Sequence, residues 1–377
     1  MELSQQIYHD PSSYLARHRP DAPVVFLSPA KVQAQAAGFI AGFPGLVTYA
    51  VKANPDPLVI GNLTAAGITA FDVASPREIA LIRELVPGAA LHYNNPVRSR
   101  AEVAAAVAAG VASYSVDAPC ELTKLAEVLP KGTEVSVRFK LPVKGAVYDF
   151  GAKFGATPDT AIELLQKVAA AGLTPSLTFH PGTQCTDPAA WSSYILAAAD
   201  IARNAGVRLA RLNVGGGFPS HRAGDRPRLR PIFNAIREST HMAFGGLPPK
   251  LVCEPGRALA AEGLSLAVQV RAVRNGREVF LNDGIYGGLA EAPLMGNINR
   301  LQVLRPDGQR RGGPSKSWPV FGPTCDSVDK LPDSLMLPET LAEGDYILIA
   351  GIGAYSTTTV THFNGYGRHK ICVVMEL

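Results

Sequence analysis

The feature that most constrains the fold is a regular alternation of short β-rich runs with Ala- and Leu-rich helical stretches. The β-rich runs recur at intervals of roughly 20 to 40 residues, which is the spacing of βα units. The predicted strands are Leu46–Val51, Ile68–Val73, Ala90–Tyr93, Ala112–Val116, Glu134–Phe139, Ser176–Phe179, Leu209–Val214 and Leu251–Cys253. Eight such units predict an α/β fold, a (β/α)8 barrel, and an open doubly wound sheet is the alternative.

The pattern changes after about Ala261. Helical stretches thin out, and β-like runs alternate with Gly/Pro turns, which predicts a second, all-β domain. We therefore place the barrel at residues 24–261 and the C-terminal β-domain at 262–377. The segment 1–23 lies outside the βα repeat and is expected to join the β-domain. A chain of 377 residues accommodates both domains.

The composition of the chain disfavours several classes of protein. The net charge is +4 with no basic run, which disfavours nucleic acid. The first residues resemble no signal peptide, and no apolar run reaches the ~18 residues of a membrane span. The 5 cysteines are scattered and lack zinc-site spacing. We expect a reduced cytoplasmic protein without membrane, nucleic-acid or metal partners.

Polar residues and glycines follow the predicted strands at their C-terminal ends, where a (β/α)8 barrel builds its active site. They are Lys52, Asp72, Arg138, His180, the run Gly215-Gly216-Gly217, Glu254 and Arg257. Singly, each is more often a solvated charge or a flexible turn, but together they predict one pocket. Three glycines let backbone N–H groups approach an anion, and a nearby arginine matches phosphate geometry. We expect one ligand that carries both a phosphate group and an aldehyde, and a lysine could bind the aldehyde.

Nine motifs in order extend this interpretation across the chain. They are Tyr49-Ala50-Val51-Lys52-Ala53-Asn54, Phe71-Asp72-Val73-Ala74-Ser75, Phe179-His180-Pro181-Gly182-Thr183, Gly215-Gly216-Gly217-Phe218-Pro219, Glu254-Pro255-Gly256-Arg257, Asn282-Asp283-Gly284-Ile285-Tyr286-Gly287, Gly322-Pro323-Thr324-Cys325-Asp326-Ser327-Val328-Asp329, Gly353-Ala354-Tyr355 and Phe363-Asn364-Gly365-Tyr366. With them the chain resembles the fold-type III decarboxylases that depend on pyridoxal 5′-phosphate (PLP), with their alanine racemase-like fold, and within them the ornithine/lysine decarboxylase group.

The resemblance implies roles around the cofactor. Lys52 would hold PLP as a Schiff base, His180 would stack on its ring, and Glu254 would pair with the ring nitrogen. The residues implied to hold the phosphate are Thr183, Gly217, Gly256, Arg257 and Tyr355, beside the rest of the glycine run. Those implied to support the lysine are Asp72, Glu78 and Arg138.

The resemblance also implies a head-to-tail homodimer with shared active sites. Cys325 and Asp326 would reach the active site of the other subunit, the first as a catalytic residue and the second as a contact for the substrate. Phe363 would line the same interface and contact the substrate.

The implied chemistry is the decarboxylation of a basic L-amino acid. Breaking the Cα–carboxylate bond leaves a carbanion, for which PLP is an electron sink. A carboxylate at the ring nitrogen keeps that nitrogen protonated, whereas racemases of the same barrel family place an arginine there. Glu254 therefore favours decarboxylation. The implied reaction converts L-ornithine or L-lysine to putrescine or cadaverine and CO2.

The chain departs from the family pattern at the substrate's distal end. Ornithine decarboxylases carry a Tyr-Asp pair where an ungapped count gives Leu294-Met295. Asp326 remains as an anion for the distal amine, and Glu291 lies close enough in sequence to substitute through a shifted loop. Two further departures are Ala258 in place of a tyrosine and Asn213 in place of an acid.

Two alternatives stay open. The first is a decarboxylase of another amino acid, such as diaminopimelate or a siderophore precursor. Diaminopimelate would need a cation for its distal carboxylate, whereas Cys325-Asp326 offers an anion. The second is a non-catalytic decarboxylase homologue that binds a regulatory partner.

Overall fold

The computed structural model describes residues 6–142, 147, 151–296 and 299–377. The chain forms two compact units. The barrel unit comprises Ala36–Pro219 and Pro227–Gly256, and the β-unit comprises the chain up to Gln35 together with Ser220–Arg226 and Arg257–Leu377.

The barrel unit contains one sheet of nine short parallel strands. They are Leu46–Val47, Tyr49–Ala50, Ala70–Val73, Ala90–Tyr93, Ser113–Val116, Glu134–Arg138, Thr174–Thr178, Arg211–Asn213 and Lys250–Cys253. The first two are halves of one predicted strand, divided at Thr48, whose amide and hydroxyl both donate to the carbonyl of Cys253 at 2.9 Å. One half pairs with the second predicted strand and the other with the last, so the sheet returns to its start. The prediction of a (β/α)8 barrel is confirmed, and the alternative of an open doubly wound sheet is not.

The helices of the barrel unit begin where the sequence supplies caps. They are Pro57–Ala65, Pro76–Leu85, Arg100–Ala108, Pro119–Ala126, Pro158–Ala170, Pro188–Ala205 and Arg230–Phe244. Side chains of Asp56, Ser75, Ser99, Thr157 and Asp187 accept a backbone N–H of the first turn, which satisfies an otherwise unpaired donor. Four of these caps precede a proline, whose fixed φ suits the first helical position. The helix Pro29–Gly42 precedes this set in the chain.

The β-unit is mostly sheet. Its strands are Val24–Leu27, Leu264–Arg274, Glu278–Leu281, Leu301–Leu304, Ser315–Trp318, Val320–Phe321, Leu335–Pro338, Tyr346–Ala350 and Lys370–Val373. Its helices are Pro11–His18, Arg257–Ala260 and Ala292–Met295. The first helix packs Tyr14 and Leu15 into the same core as Phe26.

The predicted domain boundaries, 24–261 and 262–377 with 1–23, stay a prediction, and the compact units differ from them. Strand Val24–Leu27 lies in the sheet of the β-unit, because it pairs with Leu264–Ala267 on one side and with Lys370–Val373 on the other. In the described part of the chain, no helix is both long and apolar enough to cross a membrane. No group of three or more His, Cys, Asp or Glu side chains that could hold a metal ion occurs among the same residues.

Candidate active site

The predicted lysine lies at the C-terminal end of the first barrel strand. Lys52 sits in a single 3-10 turn, Val51–Ala53, directly after Ala50. Its Nζ lies 3.7 Å from Oδ2 of Asp72 on the neighbouring strand, with Lys52 about half exposed and Asp72 buried. Burial raises the pKa of Asp72, and the positive charge of Lys52 opposes that rise.

Two further residues from the predicted set flank this pair. Glu78, in the first turn of its helix, accepts the amide of Ala74 at 2.7 Å, and burial raises its pKa. Arg138 ends the strand Glu134–Arg138, with its guanidinium carbon 5.3 Å from the centre of the Phe154 ring. Burial lowers the pKa of Arg138, while the negative charges of Glu254, Asp117 and Asp72 oppose that shift.

His180 is a buried imidazole that stays neutral near pH 7. Burial, followed by the charges of Arg138 and Lys52, holds its pKa well below the ordinary value. Its Nδ1 accepts the amide N–H of Gly182 at 3.1 Å. In the neutral ring the proton therefore resides on Nε2.

The glycine run after strand Arg211–Asn213 has room for no side chain. Gly215 and Gly217 have φ values of 70° and 83°, in the left-handed region that favours glycine. A Cβ on Gly215 would lie 2.1 Å from the carbonyl oxygen of Phe179, and one on Gly217 would lie 2.1 Å from that of Gly182. The backbone here is shaped for close approach, as expected of an anion cradle.

Glu254 follows the last barrel strand and is 8% exposed. Its Oε1 accepts the side-chain amide of Asn94 at 2.6 Å and also that of Asn213. Burial and the nearby negative charge of Asp72 raise the pKa of Glu254, and Lys52 and Arg138 oppose that rise. We define Lys52, Asp72, Arg138, His180 and Glu254 as the barrel cluster.

Arg257, in the β-unit, is held on two sides. Its two terminal nitrogens bind the two carboxylate oxygens of Glu291, one of them at 2.7 Å, and its guanidinium carbon lies 4.8 Å from the centre of the Tyr355 ring. Arg222 lies 3.7 Å from the same carboxylate of Glu291. The Nε of Arg257 is buried with no hydrogen-bond partner among the described residues. Tyr355 has a φ of 63°, a conformation that a tyrosine seldom adopts and that often marks a functional position.

The residues predicted to act across subunits form a separate group in the β-unit. Tyr286 donates its hydroxyl to Oδ2 of Asp326 at 2.5 Å, which lowers the pKa of that carboxyl, and the rings of Tyr286 and Phe363 lie 5.1 Å apart. Cys325 is exposed, and its amide donates to Oδ1 of Asn364 at 3.0 Å. We define Tyr286, Cys325, Asp326 and Phe363 as the β-unit cluster.

The remaining predicted residues lie in loops or short turns. Thr183 follows the strand Thr174–Thr178, and its carbonyl accepts the amide of Val147 at 3.0 Å. Gly256 has no room for a side chain, because a Cβ there would lie 2.8 Å from the Cβ of Ala53. Leu294 and Met295 lie in the short helix Ala292–Met295, where Leu294 is 63% exposed.

These features fit a phosphate-bearing aldehyde cofactor. Within the barrel unit, the glycine run provides backbone access for an anion. Within the β-unit, Nε of Arg257 is a buried donor that lacks an acceptor among the described residues. The barrel cluster adds an amine at Lys52 and a carboxylate at Glu254 that can pair with a protonated nitrogen.

Comparison with known proteins decides the family. The model of the pyridoxal-dependent decarboxylase, pyridoxal binding domain, matches residues 30–261. This chain belongs to the pyridoxal-dependent decarboxylases. The predicted family, cofactor and enzyme class are confirmed: the protein is a PLP-dependent decarboxylase of basic amino acids.

Relatives of this decarboxylase span most of its length. A lysine/ornithine decarboxylase of Selenomonas ruminantium is 33% identical over 330 residues, covering 85% of this chain and 81% of that protein. The ornithine decarboxylase of Mus musculus is 30% identical over 354 residues, covering 87% of this chain and 75% of that protein. The crystal structure of a lysine/ornithine decarboxylase from Vibrio vulnificus, complexed with cadaverine, has a TM-score of 0.81 at 26% identity and covers 97% of this chain and 96% of that one.

Three residues of this decarboxylase make contacts that do not follow from its sequence. The motifs assign no role to Asn94, and they mark Asn213 only as a departure from an expected acid, yet both amides bind Glu254. Glu291 is a sequence candidate for the distal amine of the substrate, but it is bound to two arginines. The one sequence signal for these contacts is Asn213, an amide at a position where the family pattern has an acid.

Proposed function

We propose that this decarboxylase acts on L-ornithine or L-lysine and releases CO2 with putrescine or cadaverine. The observation that carries the proposal is the carboxylate of Asp326, which the hydroxyl of Tyr286 holds and keeps ionised. An anion that remains charged near neutral pH suits the distal ammonium of these two amino acids. The lysine/ornithine and ornithine decarboxylases among the relatives support the same substrate class.

The barrel cluster supplies groups suited to holding the cofactor. We assign Lys52 as the amine that binds PLP covalently, with Asp72, Glu78 and Arg138 setting the charge around it. The neutral imidazole of His180 can stack on a cationic ring without repulsion, since its pKa is held well below the ordinary value. When bound, PLP accepts the electron pair released from the Cα–carboxylate bond.

The phosphate is assigned to the glycine run and the segment that follows the last barrel strand. Gly215, Gly216 and Gly217 offer backbone amides, and Thr183, Gly256 and Tyr355 complete the proposed set. Glu291 occupies the two terminal nitrogens of Arg257, which leaves Nε as the donor available to a phosphate oxygen. This support is chemical: a buried arginine nitrogen without an acceptor is costly unless a ligand provides one.

The β-unit cluster is assigned to the active site of a second subunit in a homodimer. Cys325 is exposed and Phe363 is 42% exposed, so a thiol and an aromatic ring lie together at the surface of the β-unit. Exposed groups of this kind are common where proteins associate. In this arrangement Cys325 provides a thiol that can exchange a proton, and Asp326 contacts the distal amine.

The distal contact rests on Asp326 in this proposal. Met295 and Leu294 stand where ornithine decarboxylases carry an acid and a tyrosine, and neither apolar side chain can bind an ammonium. Glu291 is bound to Arg257 and Arg222, so its charge is already compensated. We therefore expect weaker discrimination at the distal end than two acids would give.

Product analysis tests the proposal. The holoenzyme would be incubated with ornithine, lysine, arginine and diaminopimelate, and the released amines and CO2 would be quantified. We expect putrescine or cadaverine to dominate. Consumption of diaminopimelate or a related acid instead would assign the distal pocket to another group. Absence of turnover with visible PLP binding would favour a non-catalytic homologue.

A further inference from the structure

Two side-chain amides of the barrel unit converge on a single oxygen of Glu254. Asn94 follows the strand Ala90–Tyr93, and Asn213 ends the strand Arg211–Asn213. Asn94 Nδ2 donates to Oε1 at 2.6 Å, and Asn213 Nδ2 donates to the same oxygen. Both amides therefore bind the same carboxylate oxygen. The protein thus fixes the position of this carboxylate through two side-chain amides.

The groups around Glu254 determine how strongly these two donors affect its ionisation. The ionisable groups that act on it are Asp72, which disfavours its charge, and Lys52 and Arg138, which favour it. Burial acts with Asp72, so the carboxyl would retain its proton unless other groups stabilise the anion. Amide donors do this, because a hydrogen bond to a charged oxygen is stronger than one to a neutral acid. Asn94 also favours the ionised form of Asp72, the second carboxylate in the group.

We propose that Asn94 and Asn213 are positioning residues that favour the ionised form of Glu254, so that its carboxylate pairs with a protonated ring nitrogen of PLP. Glu254 holds a proton in the cofactor-free protein, and the two amides favour passing that proton to the ring nitrogen when PLP binds. Without the amides the proton stays on Glu254, and the ring nitrogen is a neutral acceptor. The inference rests on the role given to Glu254 in the proposed function.

Two variants remove the donors separately. Asn94→Leu preserves approximate volume and removes the amide, while the backbone carbonyl of residue 94 still accepts the hydroxyl of Ser115 at 2.8 Å. Asn213→Leu removes the second amide and also the acceptor for the amide of Gly215, so it tests the same idea with a greater risk to folding. Asn95→Ala is the matched control, because its side chain contacts Ala74 and Val97 instead of Glu254.

The measurement is the 15N NMR shift of PLP labelled at its ring nitrogen, recorded in each holoenzyme, together with the Kd for PLP. In the wild-type protein and in Asn95→Ala we expect the shift of a protonated pyridine. In Asn94→Leu and Asn213→Leu we expect movement toward the neutral pyridine, and a Kd for PLP higher by about tenfold or more. Thermal unfolding confirms that each variant is folded.

The outcomes separate this inference from the assignment of Glu254. If both leucine variants are folded and retain the protonated shift, the inference is overturned. Glu254→Gln provides the second arm and should lose the protonated shift. A protonated nitrogen in Glu254→Gln would show that Glu254 does not partner the ring, which overturns both the assignment and the inference.

Discussion

The barrel cluster and the β-unit cluster differ in how their charges are controlled. In the barrel, Asp72 and Glu254 are 3% and 8% exposed, and burial is the main cause of their raised pKa values. In the β-unit, a hydrogen bond from Tyr286 lowers the pKa of Asp326, while Cys325 and Phe363 are exposed. The barrel cluster is therefore preorganised within one unit of the chain. The β-unit cluster presents its groups to a surface that another molecule could complete, which supports the proposed dimer.

The largest expected effect is the loss of Lys52. Lys52→Ala should remove covalent PLP binding and reduce activity to background, because no other amine is assigned to this position. Absorbance of the purified protein and peptide mapping after borohydride reduction would check it. Lys250→Ala is the control, since Lys250 is an exposed lysine at the opposite end of a barrel strand. A borohydride label on another lysine would contradict the assignment.

Mixing inactive subunits tests whether the two clusters act together across a dimer. Lys52→Ala and Cys325→Ala should each be inactive alone and should regain activity when mixed. About one quarter of all sites would be intact, since half of the dimers are mixed and one of their two sites combines wild-type residues. Native mass spectrometry would verify subunit exchange. Exchange without recovered activity would show that each subunit builds its own site.

Removal of the Asp326 carboxylate should weaken substrate binding. Asp326→Ala should raise KM for ornithine or lysine by about one to two powers of ten, with a smaller effect on kcat, because the distal ammonium loses a charged partner. Steady-state kinetics would measure both constants. Glu339→Ala, which removes an exposed acid elsewhere in the β-unit, should leave KM unchanged. An unchanged KM in Asp326→Ala would mean that this carboxylate does not contact the substrate.

A second acid at the distal end should sharpen substrate choice. Met295→Asp places a carboxylate where the ungapped comparison puts the family's acid, and kcat/KM for ornithine should rise several-fold. Met295→Asn, of similar size without charge, is the control. Equal kinetics for both variants would show that residue 295 lies outside the distal pocket.

The smallest effect concerns the stability of the cofactor-free protein. Burial raises the pKa of Glu254 to about 8 from an ordinary value of 4.5. The folded state therefore holds this proton more tightly than the unfolded chain, and the resulting stabilisation is complete below 4.5 and lost as pH rises through about 8. Tm of the wild-type apoprotein should fall by a few degrees more than that of Glu254→Gln over this range. Parallel Tm profiles would contradict a proton on Glu254.

The barrel is predictable from sequence because its determinants are local. Strand positions follow from β-rich runs, and helix starts follow from Asp, Ser or Thr before a proline. The candidate site residues occupy strand ends, so the order of residues along the chain is enough to propose Lys52, Asp72 and Glu254 as members of one site. The division of the first strand at Thr48 is not predictable in this way, since it depends on the carbonyl of Cys253, which lies in the last barrel strand.

The contacts of Glu254 and Arg257 cannot be predicted from the sequence, because they join residues that are far apart in the chain. Asn94 and Asn213 meet at Glu254 only when distant strands close into the barrel. The pairing of Glu291 with Arg257 requires the segment after strand Glu278–Leu281 to fold back. Residue type and order identify candidates, but which donor satisfies which acceptor depends on how the whole chain folds.

The placement of strand Val24–Leu27 has a consequence for how the protein is made. This strand pairs with Lys370–Val373, and a ribosome delivers Val24–Leu27 long before its partner strand. Every residue of the barrel unit precedes Lys370, so the sheet of the β-unit cannot be completed until the whole barrel unit has been synthesised. A nascent chain that ends before Lys370 therefore contains Lys52 and lacks the last strand of this sheet.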